Sequence, residues 1–319
     1  MRLDSSRIDS WRLTSGAGFG SSVVDSNNQD RRTACDPNRL HWGRRGDIEF
    51  VYPANCSDTI VNYVREGIIQ ASQTIDFIQF FVGDRSGYIL DVGCHIGIYS
   101  LPLAHDGYNV IAIDGCKESI DCLNESIVRN KLPNLITIHT PVSDRERTCS
   151  FDAQTNCGSI INLEGDSLRA TTIDSILDGE DCSFIKLDIE GHESNAIEGS
   201  LKTLEKCQPP LLIEINNHLL ERNGSDPREI FVRLDDLSYE IFVCNVNFEL
   251  LPIRPTDVFP YCVVDVLCLH KSYDKSKLTI KEPYTDQDIH QRLMNSEEQM
   301  YSMDSPCYNY FNRMREETR

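Results

Sequence analysis

The feature that most constrains this chain is an alternation, from Tyr88 to His270, of short continuously apolar runs with longer segments of helical spacing. Tyr88–Val92, Asn109–Asp114, Leu135–Thr140, Phe184–Asp188, Leu211–Ile215, Glu240–Val243 and Val263–His270 read as strands. Ile98–His105, Lys117–Asn130, Thr172–Leu177, Glu193–Leu204 and Arg228–Leu237 read as helices. Strands that are apolar throughout have both faces covered, as in parallel sheets flanked by helices. The expectation is therefore an α/β fold with a mostly parallel seven-stranded sheet. The last two strands have no helix between them, so one of them is free to run antiparallel.

Upstream, Ile48–Tyr52 alternates like a strand. Ser57 or Asp58 is placed to cap a helix carrying Ile60, Val61, Val64, Ile68 and Ile69. An apolar run, Ile75–Val82, follows. Residues 1–46 are rich in Ser, Gly, Asn, Asp and Arg and read as a disordered or loosely packed arm. Residues 47–273 form the expected domain, and 274–319 a peripheral C-terminal extension.

The chain has 319 residues, enough for one large domain with extensions. Its 31 Lys and Arg against 50 Asp and Glu give a formal charge of −19. That charge opposes a polyanion, because nucleic-acid affinity comes largely from cations that displace phosphate counterions. Nucleic acid is accordingly not the expected partner; a small molecule or glycan is. No apolar run reaches the ~20 residues of a membrane span. The 13 cysteines include no Cys-x-x-Cys pair, which points to reduced thiols in a cytoplasm-like compartment. The Arg- and Ser-bearing N-terminus leaves organellar targeting open.

Ligands of an open α/β sheet bind beyond the carboxyl ends of its strands. There the chain reads Asp91-Val-Gly93-Cys-His95-Ile-Gly97 and opens into a helix. Gly93 permits a tight turn and a close approach of backbone to ligand, and Gly97 a close approach of helix to strand. Asp91 offers a carboxylate for an ammonium group. Asp114, at the end of the next strand, can accept hydrogen bonds from both hydroxyls of a ribose. A dinucleotide needs Gly-x-Gly-x-x-Gly, which is absent, and its diphosphate would be repelled by Asp91. The pattern suits S-adenosylmethionine, whose amino-acid tail is zwitterionic, better than a nicotinamide cofactor.

Three stretches resemble the FkbM family of methyltransferases, a branch of the class I Rossmann-like superfamily. They are Ile89–Ser100, with its Asp-Val-Gly-Cys-His-Ile-Gly-Ile-Tyr-Ser core; Val110–Asp114 with the helix ending Ser126-Ile-Val-Arg-Asn130; and Phe184-Ile-Lys-Leu-Asp-Ile-Glu-Gly-His-Glu193, followed by Ala196–Gly199 and Pro210–Ile215. The likeness covers roughly 86–272 and, more loosely, 48–85. Two positions depart from the family pattern: Asp114-Gly115 stands where Glu-Pro is usual, and Cys94 where Ala is usual. The resemblance implies a Rossmann-like fold and methylation of a hydroxyl on a sugar or small metabolite, with S-adenosylmethionine as donor. It places Asp188 near the transferable methyl. It also places Ser143 and Asp144 near the adenine, although a plain polar turn explains those two equally well.

A hydroxyl acceptor needs a base. His192 is the first candidate, because its ordinary pKa lies near neutrality; the alternative is a solvated first-turn residue. Glu214, with Asn216, Asn217 and His218 after it, would line the acceptor side, and His218 is the second candidate base. Lys186 is expected to point away from the neighbours of Asp188, and Asp188 and Glu190 to start on opposite faces. Glu190 and Glu193 read as helix N-terminal charges, with a metal site involving Asp188 the minority reading; no metal is assigned. A catalytically inactive Rossmann-like binding or scaffold protein is the alternative to an enzyme.

Overall fold

The computed structural model describes residues 40–45, 47–53, 59–66, 72–152, 159–162, 168–244, 250–254, 263–278 and 280. The strands are β1 Leu40–Arg45, β2 Ile48–Pro53, β3 Tyr88–Val92, β4 Val110–Asp114, β5 Leu135–His139, β6 Arg147–Asp152, β7 Ser159–Asn162, β8 Leu168–Ala170, β9 Cys182–Leu187, β10 Leu211–Asn216, β11 Tyr239–Cys244, β12 Leu250–Ile253 and β13 Val263–His270. The helices are α1 Thr59–Glu66, α2 Ser72–Val82, α3 Ser100–His105, α4 Lys117–Asn130, α5 Ile173–Leu177, α6 Glu193–Glu198, α7 Leu201–Cys207, α8 Asn217–Arg222 and α9 Pro227–Asp236.

The main sheet has eight strands in the order β12-β11-β13-β10-β9-β3-β4-β5. Strands β5, β4, β3, β9 and β10 pair in parallel, whereas β13 runs antiparallel to both β10 and β11. The seven-strand expectation lacks β12, which pairs antiparallel with β11 at the sheet edge. Its four residues, Leu-Leu-Pro-Ile, are too short a run to separate from a loop by pattern alone.

From β3 the chain steps outward to β4 and β5, then returns to place β9 on the other side of β3. The crevice between the ends of β3 and β9 is thus the switch point where such sheets bind ligands. Alternation sorts the central strands into two cores. Leu90, Val92, Ile111, Ile113, Ile185, Leu187 and Ile213 face one side, packed against α5, α6 and α9. Ile89, Val110, Ala112, Phe184, Leu212 and Leu267 face the other, packed against β2, α1, α2 and α4.

The hairpin β1–β2 pairs residue by residue from Leu40↔Pro53 to Arg45↔Ile48, so paired structure extends upstream of the expected boundary at residue 47. Ser57, Asp58, Ile68 and Ile69, placed on or before α1, lie outside the described residues. The expected helix Glu193–Leu204 is two helices. Gly199 sits so close to the Ser143 carbonyl that a Cβ there would lie 2.2 Å from the oxygen. Asp174 then caps the second helix, accepting from the amides of Lys202 and Thr203. Between β5 and α5 lies a second small sheet, ordered β7-β6-β8, which the sequence pattern did not suggest.

Candidate active site

The loop after β3 is built around a carboxylate that is sealed in. Asp91 is fully buried; its Oδ2 accepts from Ser100 Oγ, and its Oδ1 has no partner. Burial raises its pKa, and the Lys186 ammonium opposes the rise. An orphaned buried carboxylate oxygen is costly unless a ligand satisfies it, and a donor's ammonium would do so. Gly93 has φ +84°, and a Cβ there would lie 1.6 Å from the Asp188 carbonyl oxygen. The close approach is thus between two strand ends, with Asp188 N also donating to Val92 O. Gly97 (φ +82°) is pressed against Leu123 of α4, at 2.5 Å from a would-be Cβ, and not against a strand.

His95 adopts φ +49°, a left-handed conformation in which His, Asn and Asp are enriched. Its amide donates to Asp114 Oδ2 at 2.8 Å, and the Cys116 amide donates to Asp114 Oδ1 at 2.7 Å. Asp114 therefore joins the two loops. Each of its oxygens keeps lone-pair capacity for a ribose hydroxyl. Burial raises its pKa, and these two amide bonds oppose the rise.

Ser143 is buried, its hydroxyl donating to Asp144 and its amide to the Thr171 carbonyl. Asp144 forms an ion pair with Arg147 of β6. The pair belongs to the β5 exit, held against the small sheet.

Across the crevice, alternation and register put a polar row on one face of the sheet. Asp91 pairs with Lys186 in the β3–β9 register, and Glu214 with Asp265 in the β10–β13 register. Asp188 follows Lys186 by two residues and shares its side. Lys186 therefore does not point away: its Nζ lies 2.9 Å from Asp188 Oδ2 and 4.9 Å from the Tyr99 ring centroid. Burial works against the Lys186 charge, but Asp188, Tyr99, Asp91 and Asp265 together hold its pKa well above the usual value.

Asp188 and Glu190 do not start on opposite faces either. Residues two apart on an extended chain share a side, so alternation itself never separated them; beyond Asp188 the chain leaves β9 through left-handed residues, Glu190 at φ +56° and Gly191 at φ +97°. Asp188, Glu190 and Glu214 each bring one carboxylate oxygen to within 4.8 Å of the others. A hard cation can bridge such a spacing, although Asp188 is already paired with Lys186. Burial pushes the Glu214 pKa well up, reinforced by Asp188, Glu190 and Asp265 and opposed by Lys186. Asp265 is pushed up to about 6 by burial, again opposed by Lys186.

Glu193 is not a solvated helix charge. It is buried and folds back to accept from the amides of Ile189 and Gly191, and burial pushes its pKa up to about 7. His192 is buried too, so the solvated reading fails. Its Nε2 lies 2.7 Å from the Ile160 carbonyl of β7 and must carry the proton there, and Asn195 stands beside the ring as a second polar neighbour. Burial lowers its pKa. The ring is directed at the small sheet, not at the carboxylates. His218 is exposed in the first turn of α8, whose cap is Asn216 accepting from the Leu219 amide.

Sequence reasoning missed the inward place of Lys186, and missed Tyr99 and Asp265. The signal for Asp265 was available: an acid inside the apolar run Val263–His270, at the same alternation as the buried Leu267 and Leu269.

Residues 91–241 match the family model of the methyltransferase FkbM domain. Among curated proteins, the chain is 25% identical over 170 residues to the 23S rRNA (uracil(1939)-C(5))-methyltransferase RlmD of Shewanella sediminis, covering 53% of this chain and 36% of that protein. It is 30% identical over 122 residues to the RlmD of Shewanella frigidimarina, covering 38% and 26%. The chain thus spans about a third or less of the length of these relatives. Among solved structures, an FkbM methyltransferase from Methylobacillus flagellatus is similar at 18% identity and TM-score 0.38, over 57% of this chain and 43% of that one.

Proposed function

We propose that this chain, which carries a methyltransferase FkbM domain over residues 91–241, moves a methyl group from S-adenosylmethionine to a hydroxyl oxygen of a sugar or small metabolite. The observation that carries the reading is the sealed Asp91 carboxylate with its unpartnered oxygen, one loop away from Asp114. Together they fit the ammonium and the ribose of one donor. When bound, that donor supplies an electrophilic methyl on a sulfonium sulfur.

The remaining chemistry falls to the facing carboxylates. As the acceptor oxygen gains the methyl, its proton must leave. Glu214 is the candidate to take it, standing within 4.8 Å of the Asp188 and Glu190 carboxylates on the crevice face. Asp188 and Asp265 flank it. The transfer removes the sulfonium's positive charge while the proton cancels a carboxylate's negative one, so the low-dielectric crevice undergoes no net change. Most of the rate would come from alignment of donor and acceptor.

A charge-assisted hydrogen bond is worth about 1.5–3 kcal/mol. Asp91→Ala and Asp114→Ala should therefore each weaken S-adenosylmethionine binding about 10- to 100-fold in calorimetry. If the intact folded chain bound no donor, the reading would fail. Incubation with methyl-labelled donor and a cell extract, followed by mass spectrometry, would identify the acceptor; absence of any labelled product would favour a catalytically inactive binding protein.

The relatives that act on 23S rRNA raise a second reading, methylation of an RNA base. Against it, an unreactive ring carbon calls for activation by a nucleophile such as a thiolate. Cys94, the cysteine of the donor loop, is buried, and burial pushes its thiol well up. The carboxylates facing the crevice would also repel phosphates.

A further inference from the structure

We infer that Lys186 is a positioning residue for the transfer: its buried ammonium anchors Asp188 and works against neutralisation of Glu214, the carboxylate that receives the acceptor's proton, and of Asp265 beside it. The inference rests on the methyl-transfer reading above and adds a residue that the reading does not need.

Lys186 lies where the two halves of the site meet. From β9 it is level with Asp91 of β3, on the donor side. From the donor loop the Tyr99 ring covers its ammonium at 4.9 Å. On its own strand exit it holds Asp188 at 2.9 Å, and from β13 Asp265 faces it. Glu214 on β10 is in register with Asp265 of β13, and one of its carboxylate oxygens lies within 4.8 Å of oxygens of Asp188 and Glu190; among these acids Lys186 is its opposing cation. The lysine is 4% exposed, so solvent does little to screen these interactions. Burying an ammonium is expensive unless it is paired. An apolar residue would fill this strand position at lower cost, as Phe184 and Leu212 do on the same face. The charge is therefore retained for what it does to its neighbours.

The sign of the effect follows from Coulomb's law. Removing a cation from beside carboxylates raises their proton affinity. Removing a like-charged neighbour lowers it.

Carboxyl carbon NMR titration of the full chain, carrying S-adenosylhomocysteine, reads this without any acceptor. In Lys186→Met the Glu214 and Asp265 midpoints should move to higher pH, and in Lys186→Arg they should stay where the wild type has them. In Asp188→Asn the Glu214 midpoint should move to lower pH. Opposite signs in two variants at neighbouring positions cannot arise from general loosening of the fold, and the Asp188 variant keeps the test open if Lys186→Met does not fold. Unchanged midpoints in Lys186→Met, or a shift of the same size in Lys186→Arg, would overturn the assignment. Calorimetry with S-adenosylhomocysteine on the same proteins separates the two claims. A wild type that binds none brings down the methyl-transfer reading and this inference with it. Binding with identical titrations in all variants removes Lys186 alone.

Discussion

Glu193 shows how one side chain can couple the shape of this site to pH. It closes the left-handed turn at Glu190 and Gly191 by accepting from two backbone amides, and it does so while buried. Its folded pKa, about 7, lies above the ordinary carboxylate value. Between those values the folded chain holds a proton that the unfolded chain has released. Stability from this group is therefore full at low pH and lost as pH rises through about 7. Asp265, pushed up to about 6, acts in the same direction over a narrower window. The melting temperature of the donor-free chain should accordingly contain a component that declines from about pH 4.5 to about 7. Glu193→Gln, which keeps an acceptor oxygen for the turn, should flatten that component. A melting temperature that rose through this window equally in both proteins would contradict the assignment.

At the scale of elements, the sequence revealed the strands that are apolar throughout and left the mixed ones hidden. Tyr88–Val92, Lys117–Asn130 and Val263–His270 emerge with the limits their patterns predict, because their apolar spacing has one structural solution. The small sheet of β6, β7 and β8 did not emerge. Its strands are short, and its core is little more than Cys149, Ile160 and Ala170. Gly115 reveals the contact only in three dimensions: a Cβ there would lie 2.4 Å from the Phe151 ring. The loop after β3 and its tie to Asp114 were legible from Asp91, Gly93, Gly97 and Asp114. What each glycine is for was not, since Gly93 answers to the Asp188 carbonyl on a strand distant in sequence. That contact makes a sharp prediction. Gly93→Ala combines a positive φ, costing about 1–3 kcal/mol, with a backbone overlap that no rotamer change relieves. Destabilisation of about 3 kcal/mol or more is expected, a fall in melting temperature of roughly 6–10 °C. Donor binding should weaken as β3 and β9 are forced apart. A variant with wild-type melting and donor affinity would show that the strand ends do not need this approach.

Over the whole molecule, charge and sequence likeness give different hints about the acceptor. Partial sequence likeness links the chain to proteins named as 23S rRNA methyltransferases, but the matched stretch is only about a third or less of their length, so their substrate does not carry over with it. The formal charge of −19 and the crevice carboxylates Asp188, Glu190 and Glu214 both disfavour phosphate. Among the described residues, no helix is long and apolar enough to cross a membrane. A protein that neutralises 6–10 phosphates loses about 10³–10⁵ in affinity between 50 and 200 mM salt. A hydroxyl-methylating enzyme with a neutral acceptor has no such counterions to release. Methyl incorporation into extract should therefore change by less than about threefold over that salt range, far below the RNA-binding dependence. It should also survive ribonuclease digestion of the extract and be unaffected by added polyuridylate. Loss of the label on ribonuclease treatment would transfer the assignment to RNA. Glu214 would then have a hydroxyl proton to receive only if the methyl went to a ribose 2′-hydroxyl, and methylation of a base would require a different account of Lys186 among the carboxylates.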